Sequence, residues 1–257
     1  HSRREDVDRA AEQILEALAR RLEGTASVTP GVPALLSGAR LLMRASDRQK
    51  GGFDGGPKFP TPTNLELLLS ALDFLPGEEA RETAEHCMLT CREMARRGLY
   101  DHLGGGFYRY CVDEGWTIPH FEKMLYDQGL LLRVYAEVWR RSGGAHDLVW
   151  AMRETVDYLR REMAAPDGGF YASQDADSEG EEGRYHVWTP PPVEAVLGER
   201  AGAFSEAYGV TARGNFEGGR THLIDLARRP REKFAEERVL LLGARQQRVP
   251  PATDHKR

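Results

Sequence analysis

Apolar residues recur every three or four positions along most of this chain, which is the spacing of an amphipathic α-helix. The segment Asp6–Leu22 shows this spacing throughout, and Gly24 supplies a stop signal. The same pattern predicts helices in later segments of the chain. These are Pro33–Ser46, Leu65–Leu75, Glu78–Arg97, Pro119–Arg141, Ala145–Met163, Pro190–Leu197, Ala201–Tyr208 and Arg231–Gln247.

The segment Gly169–Trp188 has a different pattern. Two aromatic-rich runs, Phe170-Tyr171 and Tyr185–Trp188, flank an acidic and turn-prone centre. This arrangement predicts a β-hairpin with a long loop. We therefore expect an all-α fold in one domain over residues 1–257, with a β-hairpin insertion at 168–189 and a polar tail at 249–257.

The tripeptide Gly-Gly-Phe occurs three times, each time between predicted helix pairs. The copies begin at Gly51, Gly105 and Gly168, which are 54 and 63 residues apart. A period of this length with two helices per unit indicates an array of helical hairpins. If successive hairpins curve, their inner helices line a cavity and the glycine loops gather at its mouth. We therefore expect an α/α toroid, and a plain multi-helix bundle is the alternative.

The second copy lies in the stretch Tyr100–Asp127, which has the residue types of a pocket wall. Three consecutive glycines, Gly104–Gly106, stand among His102, Arg109 and several aromatic residues. Glycine lets chain segments approach closely, and aromatic, cationic and imidazole groups are typical of binding sites. A purely structural loop is the alternative.

A helix that begins at Pro119 would carry His120, Lys123 and Asp127 on one face, with Glu122 and Tyr126 on a neighbouring face. Near a helix start His120 should lose its proton readily, which suits a general base. In the alternative reading Lys123 and Asp127 form an ordinary ion pair and His120 caps the helix locally. We favour a structural role for Lys123.

The acidic centre of the predicted hairpin supplies candidate carboxylates. Asp175, Asp177 and Glu179 match the first half of a calcium loop, but the twelfth position is His186, which cannot supply the required carboxylate. Asp175 or Asp177 is a better candidate for acid/base chemistry, because neighbouring carboxylates raise one another's pKa. A solvated turn of like charges is the alternative.

Other side chains complete the expected pocket. Pro57 and Pro60 flank Lys58 and Phe59, so an extended segment would present a cation and a ring. An irregular stretch with Glu217, Arg220 and His222 is expected to close the rim. The candidate substrate-binding residues are Lys58, Phe59, Arg109, Tyr110, Trp116, Glu122, Tyr126 and Asp127.

Composition narrows the class of protein. The net charge is -5, with 40% hydrophobic and 29% charged residues, as in ordinary globular proteins. No basic stripe indicates nucleic acid, no apolar run indicates a membrane span, and no secretory signal is visible. Three cysteines fit a reducing compartment, so a cytoplasmic location is expected. Cys87 and Cys91 lie near His86, but no fourth ligand for a metal is evident, and no cofactor motif occurs.

Four long motifs occur in order between Lys50 and Glu217. They are GGFDGGPKFPTPTNLE, YDHLGGGFYRYCVDEGWTIPHFEKMLYDQGLLL, GGFYASQDADSEGEEGRYHVWTP and GNFEG. Together they resemble the spermatogenesis-associated, thioredoxin-like protein family. The resemblance implies a thioredoxin-like domain joined to an α/α toroid similar to N-acylglucosamine 2-epimerases and six-hairpin glycosidases. The chain resembles the first half of that toroid, without the thioredoxin-like domain.

By fold analogy, the resemblance implies a carbohydrate-active site of the sugar isomerase, epimerase or glycosidase kind. Related epimerases use histidines for proton transfer beside a carbonyl, which implicates His120, with His102 as the best second candidate. A non-catalytic binding or scaffold domain beside a thioredoxin-like module is the alternative. The expected partner is a small sugar-like molecule. Half a toroid would also expose apolar helix faces, so self-association is expected.

Overall fold

The computed structural model describes residues 2–22, 31–53, 55–144 and 146–254. Within these ranges helices dominate, and each strand is two residues long. The α-helices are α1 Ser2–Leu22, α2 Val32–Arg44, α3 Pro62–Ala71, α4 Gly77–Arg96, α5 Leu125–Arg141, α6 Val149–Tyr158, α7 Pro190–Leu197, α8 Ala201–Tyr208 and α9 Ala235–Arg245. The strands are β1 Tyr110–Cys111, β2 Pro119–His120, β3 Lys123–Met124, β4 Ser173–Gln174, β5 Asp177–Ser178, β6 Glu181–Glu182 and β7 Thr253–Asp254.

The prediction of a mostly helical fold with a small β insertion is confirmed. A π-helical turn, Leu159–Met163, continues α6 over the rest of the segment predicted there. A 3-10 turn, Arg231–Phe234, precedes α9 in the same way. The first residue of the predicted sixth helix, Ala145, lies outside the described residues.

The predicted helix Pro119–Arg141 is wrong over its first six residues. The helix begins at Leu125, and residues 119–124 are extended. β2 pairs antiparallel with β1, and β3 pairs antiparallel with β4. Buried and partly exposed residues alternate through this segment, as one side of an extended chain faces the interior. His120, Lys123 and Asp127 therefore do not share a helix face.

The predicted β-hairpin forms inside the acidic centre and not from the aromatic runs. β5 and β6 pair as a tight hairpin, with Asp177 opposite Glu182. Phe170 instead bridges to Ala164, and Trp188 bridges to Thr221. Trp188 packs in the core with α7, α8 and α9, whereas Phe170 is 41% exposed, and the two runs are not paired with each other.

The three Gly-Gly-Phe loops have the same local structure. The first glycine has φ of +72°, +79° and +95° in the three copies, and the second has +72°, +80° and +80°. These left-handed conformations are favourable only for glycine. In each copy the phenylalanine then bridges back to the end of the preceding helical segment. The bridges are Ser46 to Phe53, Tyr100 to Phe107 and Ala164 to Phe170.

The helices pack in two groups. α2 to α6 enclose one apolar core, in which Leu65, Leu68, Cys87 and Cys91 are fully buried. α3 packs against both α4 and α5. A second core holds α7, α8 and α9 together. The buried cysteines pack as small apolar side chains.

Replacing Gly105 with alanine should destabilise the fold by at least about 2 kcal/mol. A left-handed residue with a side chain costs about 1–2 kcal/mol, and the new Cβ would lie 2.3 Å from the carbonyl oxygen of Glu154. The control is Gly129→Ala in α5, where the Cβ meets open space. That change should raise stability by about 0.5–1 kcal/mol. Urea unfolding measures both, and a loss of stability in both variants would contradict this account.

Candidate functional site

A buried ionic cluster lies beneath the extended segment 119–124. Asp101 accepts hydrogen bonds from Arg245, at 2.8 Å from Nη1 and 2.9 Å from Nη2. Lys123 Nζ donates to the same carboxylate at 2.8 Å and to the Gly105 carbonyl at 2.8 Å. All three charged residues are at most 2% exposed. Burial alone would raise the pKa of Asp101, but Arg245 and Lys123 hold it well below its usual value.

The strand alternation places the neighbours of Lys123 on the outer surface. His120 Nδ1 lies 2.7 Å from Glu182 Oε1, and His120 Nε2 lies 3.8 Å from Glu122 Oε2. Arg109 Nη1 donates to Glu122 Oε2 at 2.5 Å. The side chain of His120 is 27% exposed, so the cluster is open to solvent. We call Arg109, His120, Glu122, Asp127 and Glu182 the rim cluster.

Asp127 is the most buried carboxylate of the rim cluster. It lies in the first turn of α5 and is 6% exposed. Burial raises its pKa to about 6, with Arg109 opposing the shift and Glu122 adding to it. A carboxyl group that titrates near pH 6 can act as either proton donor or acceptor under physiological conditions.

An aromatic ladder borders the rim cluster. The Phe59 and Tyr110 rings stack at 4.6 Å, and Tyr110 stacks on the His120 imidazole at 5.1 Å. Phe59 is 46% exposed and forms the outer end of the ladder. Tyr126 is also half exposed and lies beside Arg109. The predicted residues Phe59, Arg109, Tyr110, His120, Glu122, Tyr126 and Asp127 are thus brought to one surface.

Asp175 directly follows β4, Asp177 begins β5, and both are exposed. Gln174 pairs with Lys123, so Asp175 continues that strand towards the position of Glu122. Asp177 pairs with Glu182 across the hairpin, and its backbone N–H donates to Asp175 Oδ1. Their catalytic role stays a prediction.

His102 is not part of this surface. It is 1% exposed, and its Nε2 lies 3.1 Å from the Arg97 carbonyl oxygen while Nδ1 lies 3.2 Å from Arg231. Burial, together with the charge of Arg231, holds its pKa well below the usual value. His222 is likewise buried and lies 2.7 Å from the Gly98 carbonyl oxygen. Both imidazoles stabilise loop carbonyls in the interior.

Two further predicted ligand-binding residues also have structural positions. Lys58 is 2% exposed, and its Nζ donates to Asp47 and to two carbonyls of the first Gly-Gly-Phe loop. Trp116 is fully buried and donates from Nε1 to the Lys50 carbonyl at 3.0 Å. A cation and an indole that satisfy buried backbone groups are unavailable to a ligand.

The sequence did not identify three residues that help form the rim cluster and the buried ionic cluster. Glu182 belongs to the acidic hairpin, but its contact with His120 spans 62 residues. Asp101 and Arg245 are 144 residues apart. The acidic run pointed to the hairpin, but nothing local identified which carboxylate reaches the histidine.

Two negative findings apply to the described residues. Among them, no three His, Cys, Asp or Glu side chains are grouped so that they could hold a metal ion. In the same ranges of the chain, no helix combines the length and apolar character that a membrane crossing requires.

Comparison with known proteins supports the family resemblance of the motifs. The chain is 41% identical to spermatogenesis-associated protein 20 of Mus musculus over 177 residues, which are 64% of the chain and 22% of that protein. It is 38% identical to the Homo sapiens protein of that name over 194 residues, 68% of the chain and 24% of that protein. An uncharacterised Caenorhabditis elegans protein is 34% identical over 174 residues, 65% of the chain and 24% of that protein.

The chain spans about a quarter of the length of the curated relatives it matches. No protein-family model matches it.

Replacing Asp101 with asparagine should destabilise the protein by about 3–5 kcal/mol, because Lys123 and Arg245 would keep buried charges without a counter-ion. The control is Glu114→Gln, which removes the exposed pair with Lys50. Exposed pairs contribute at most about 1 kcal/mol. Urea unfolding compares the two variants, and losses of equal size would contradict the stabilising role of Asp101.

Asp127→Asn should stabilise the protein at pH 7.5 and have little effect near pH 4. The folded pKa of about 6 lies above the ordinary 3.8, so the folded state binds the proton more tightly. Stability from this group is therefore present at low pH and is lost as pH rises through 6. At pH 7.5 the free energy of unfolding of Asp127→Asn should exceed that of the parent protein by about 3 kcal/mol at most.

Chemical unfolding of Asp127→Asn and the parent protein at several pH values measures this difference. Asp175→Asn, at an exposed position, is the control. If the difference in unfolding free energy between Asp127→Asn and the parent protein is the same at pH 4 and pH 7.5, the raised pKa does not belong to Asp127.

Proposed function

We propose that this chain carries a carbohydrate-active site in which His120 transfers a proton beside the carbonyl of a sugar-like substrate. The observation that carries the proposal is the asymmetric environment of the imidazole. Glu182 holds Nδ1 at 2.7 Å, whereas Nε2 is 3.8 Å from Glu122, beyond hydrogen-bonding distance. A carboxylate on one ring nitrogen fixes the proton there and leaves the other nitrogen as a base.

The same geometry favours an isomerase or epimerase over a glycosidase. Glycoside hydrolysis uses two carboxyl groups that flank the scissile bond, about 5–10 Å apart, with substrate or water between them. In the rim cluster the imidazole of His120 lies between Glu122 and Glu182. Proton transfer by the histidine fits this arrangement better than attack by either carboxylate.

Asp127 is the proposed partner acid. In the proposed reaction Nε2 of His120 removes a proton from the carbon next to the carbonyl, and the electron pair moves to the carbonyl oxygen as an enolate. A protonated carboxyl then returns a proton to carbon. The pKa of Asp127, about 6, gives a useful population of both protonation states near neutral pH.

Recognition of a sugar would use the surface around these groups. The exposed ring of Phe59 offers a face on which sugar C–H groups can pack. The face of an aromatic ring carries partial negative charge, which attracts the slightly positive hydrogens of C–H groups. The guanidinium of Arg109 is 42% exposed and can donate to hydroxyl or carbonyl oxygens. Asp175 and Asp177 supply exposed acceptors for hydroxyl groups.

The wider architecture belongs to the same proposal. The three equivalent Gly-Gly-Phe loops and the family resemblance support an α/α toroid with the rim cluster at its mouth, in a cytoplasmic protein that also has a thioredoxin-like domain. Val239 and Leu240 of α9 are exposed, which supports self-association through apolar surface.

A non-catalytic binding or scaffold domain is the second candidate. The open surface around His120 favours it, because an unenclosed site excludes water poorly.

Hydrogen exchange in D₂O tests the catalytic proposal. The purified protein is mixed with a panel of aldoses, ketoses and N-acylhexosamines, and NMR follows deuterium uptake at the carbon beside the carbonyl. We expect uptake with at least one sugar and a loss of about 100- to 10,000-fold in His120→Gln. Glu182→Gln should reduce the rate and shift its pH profile, because it alters the imidazole.

Glu114→Gln, at the exposed pair with Lys50, is the matched control and should exchange like the parent protein. Sugar binding by NMR without exchange would overturn the enzymatic proposal and support the binding domain. Exchange that survives in His120→Gln would remove His120 from the reaction.

A further inference from the structure

A cavity of about 520 Å³ lies on the other side of the β5–β6 hairpin from the rim cluster. The hairpin, the start of α7 and the residues after α9 form its walls. Three arginines and two glutamates line it together with the indole of Trp188. The charged lining residues are Glu179, Glu181, Arg184, Arg220 and Arg248.

Arg248 is held firmly with one edge of its guanidinium free. The group lies 4.1 Å from the centroid of Trp188, and Nη1 donates to the carbonyls of Tyr185 and Val187 at 2.9 and 2.8 Å. Within the described part of the chain, Nε and Nη2 make no hydrogen bond and no carboxylate pairs with this arginine. That free edge is the one with which arginine binds an oxyanion side-on.

The lowered pKa of Arg248 is consistent with a buried cation that has no counter-ion among the described residues. Burial, reinforced by the charge of Arg245, lowers the pKa of Arg248 to about 10. An ordinary arginine that is paired with a carboxylate shows the opposite shift, as Arg231 does beside Glu154. An anion in the cavity would relieve the cost of keeping Arg248 charged.

The other two arginines are engaged by internal carboxylates. Arg220 pairs with Glu181, and Arg184 pairs with Glu179 at 3.0 Å. Arg184 also lies 3.5 Å from Glu181. Glu181 therefore occupies positions that a ligand anion would take, and it competes with that ligand for Arg220.

We propose that this cavity binds the phosphate or carboxylate group of a small molecule, held side-on by Arg248 and contacted by Arg220. The proposal does not depend on the sugar chemistry proposed for the rim cluster. The two sites nevertheless adjoin through the hairpin. Glu181 lines the cavity, and the next residue, Glu182, contacts His120.

Isothermal titration tests the site with inorganic phosphate and with acetate, at constant ionic strength maintained with sodium chloride. We expect saturable binding of at least one of them. Binding of phosphate alone assigns a phosphate ester, and binding of acetate alone assigns a carboxylate. If neither phosphate nor acetate releases or absorbs more heat than a matched titration with sodium chloride, the proposal is overturned.

Two variants should change the affinity in opposite directions. Arg248→Gln should weaken binding by about ten- to a hundred-fold, as expected for loss of a charged bidentate contact. Glu181→Gln should strengthen binding, because it removes the competing internal carboxylate. Arg133→Gln, at an exposed pair with Glu66, is the control and should not change the affinity.

Thermal unfolding of each variant separates a ligand effect from a loss of structure. If Arg248→Gln does not fold, Arg220→Gln serves in its place and should also weaken binding. Unchanged affinity in the folded arginine variants, or weaker binding in Glu181→Gln, would overturn the assignment.

Discussion

The buried carboxylate of Asp101 is the constraint on which the arrangement of this protein depends. It joins the loop that contains the second Gly-Gly-Phe copy to Lys123 in the extended segment and to Arg245 at the end of α9. Two buried cations are held around one buried anion by good geometry and charge-assisted hydrogen bonds, although Arg245 Nε has no hydrogen-bond partner in the described part of the chain. Close approach of the loop, the segment and α9 is therefore enforced by charge as well as by apolar packing.

The rim cluster is a consequence of that constraint. Because Lys123 points inward to Asp101, its neighbour Glu122 must point outward. His120, two positions before Glu122, must point outward as well. The outer side chains then meet Arg109 and Glu182 at hydrogen-bonding distance. A structural ion pair on one side of an extended segment thus orients groups with acid/base chemistry on the other side.

The β5–β6 hairpin connects this surface to a second region of charge. Consecutive glutamates on β6 have opposite environments, since Glu182 holds the imidazole of His120 and Glu181 holds Arg220. Two residue pairs join β5 to β6, and the Gly183 N–H also donates to the Ala176 carbonyl. An anion that displaces Glu181 from Arg220 would act directly on the strand that carries Glu182.

The sequence by itself determined the helices, the three glycine loops and most of the outer residues of the rim cluster. Helical periodicity is local, and the left-handed turns of the Gly-Gly-Phe loops need glycine whatever surrounds them. The conformation of residues 119–124 was decided only by the tertiary structure. One of the three inward positions of that segment holds a lysine, which interrupts the apolar alternation, and its counter-ion lies 22 residues away. Contacts over such distances in sequence depend on how the helices pack, and so does the position of Glu182 beside His120.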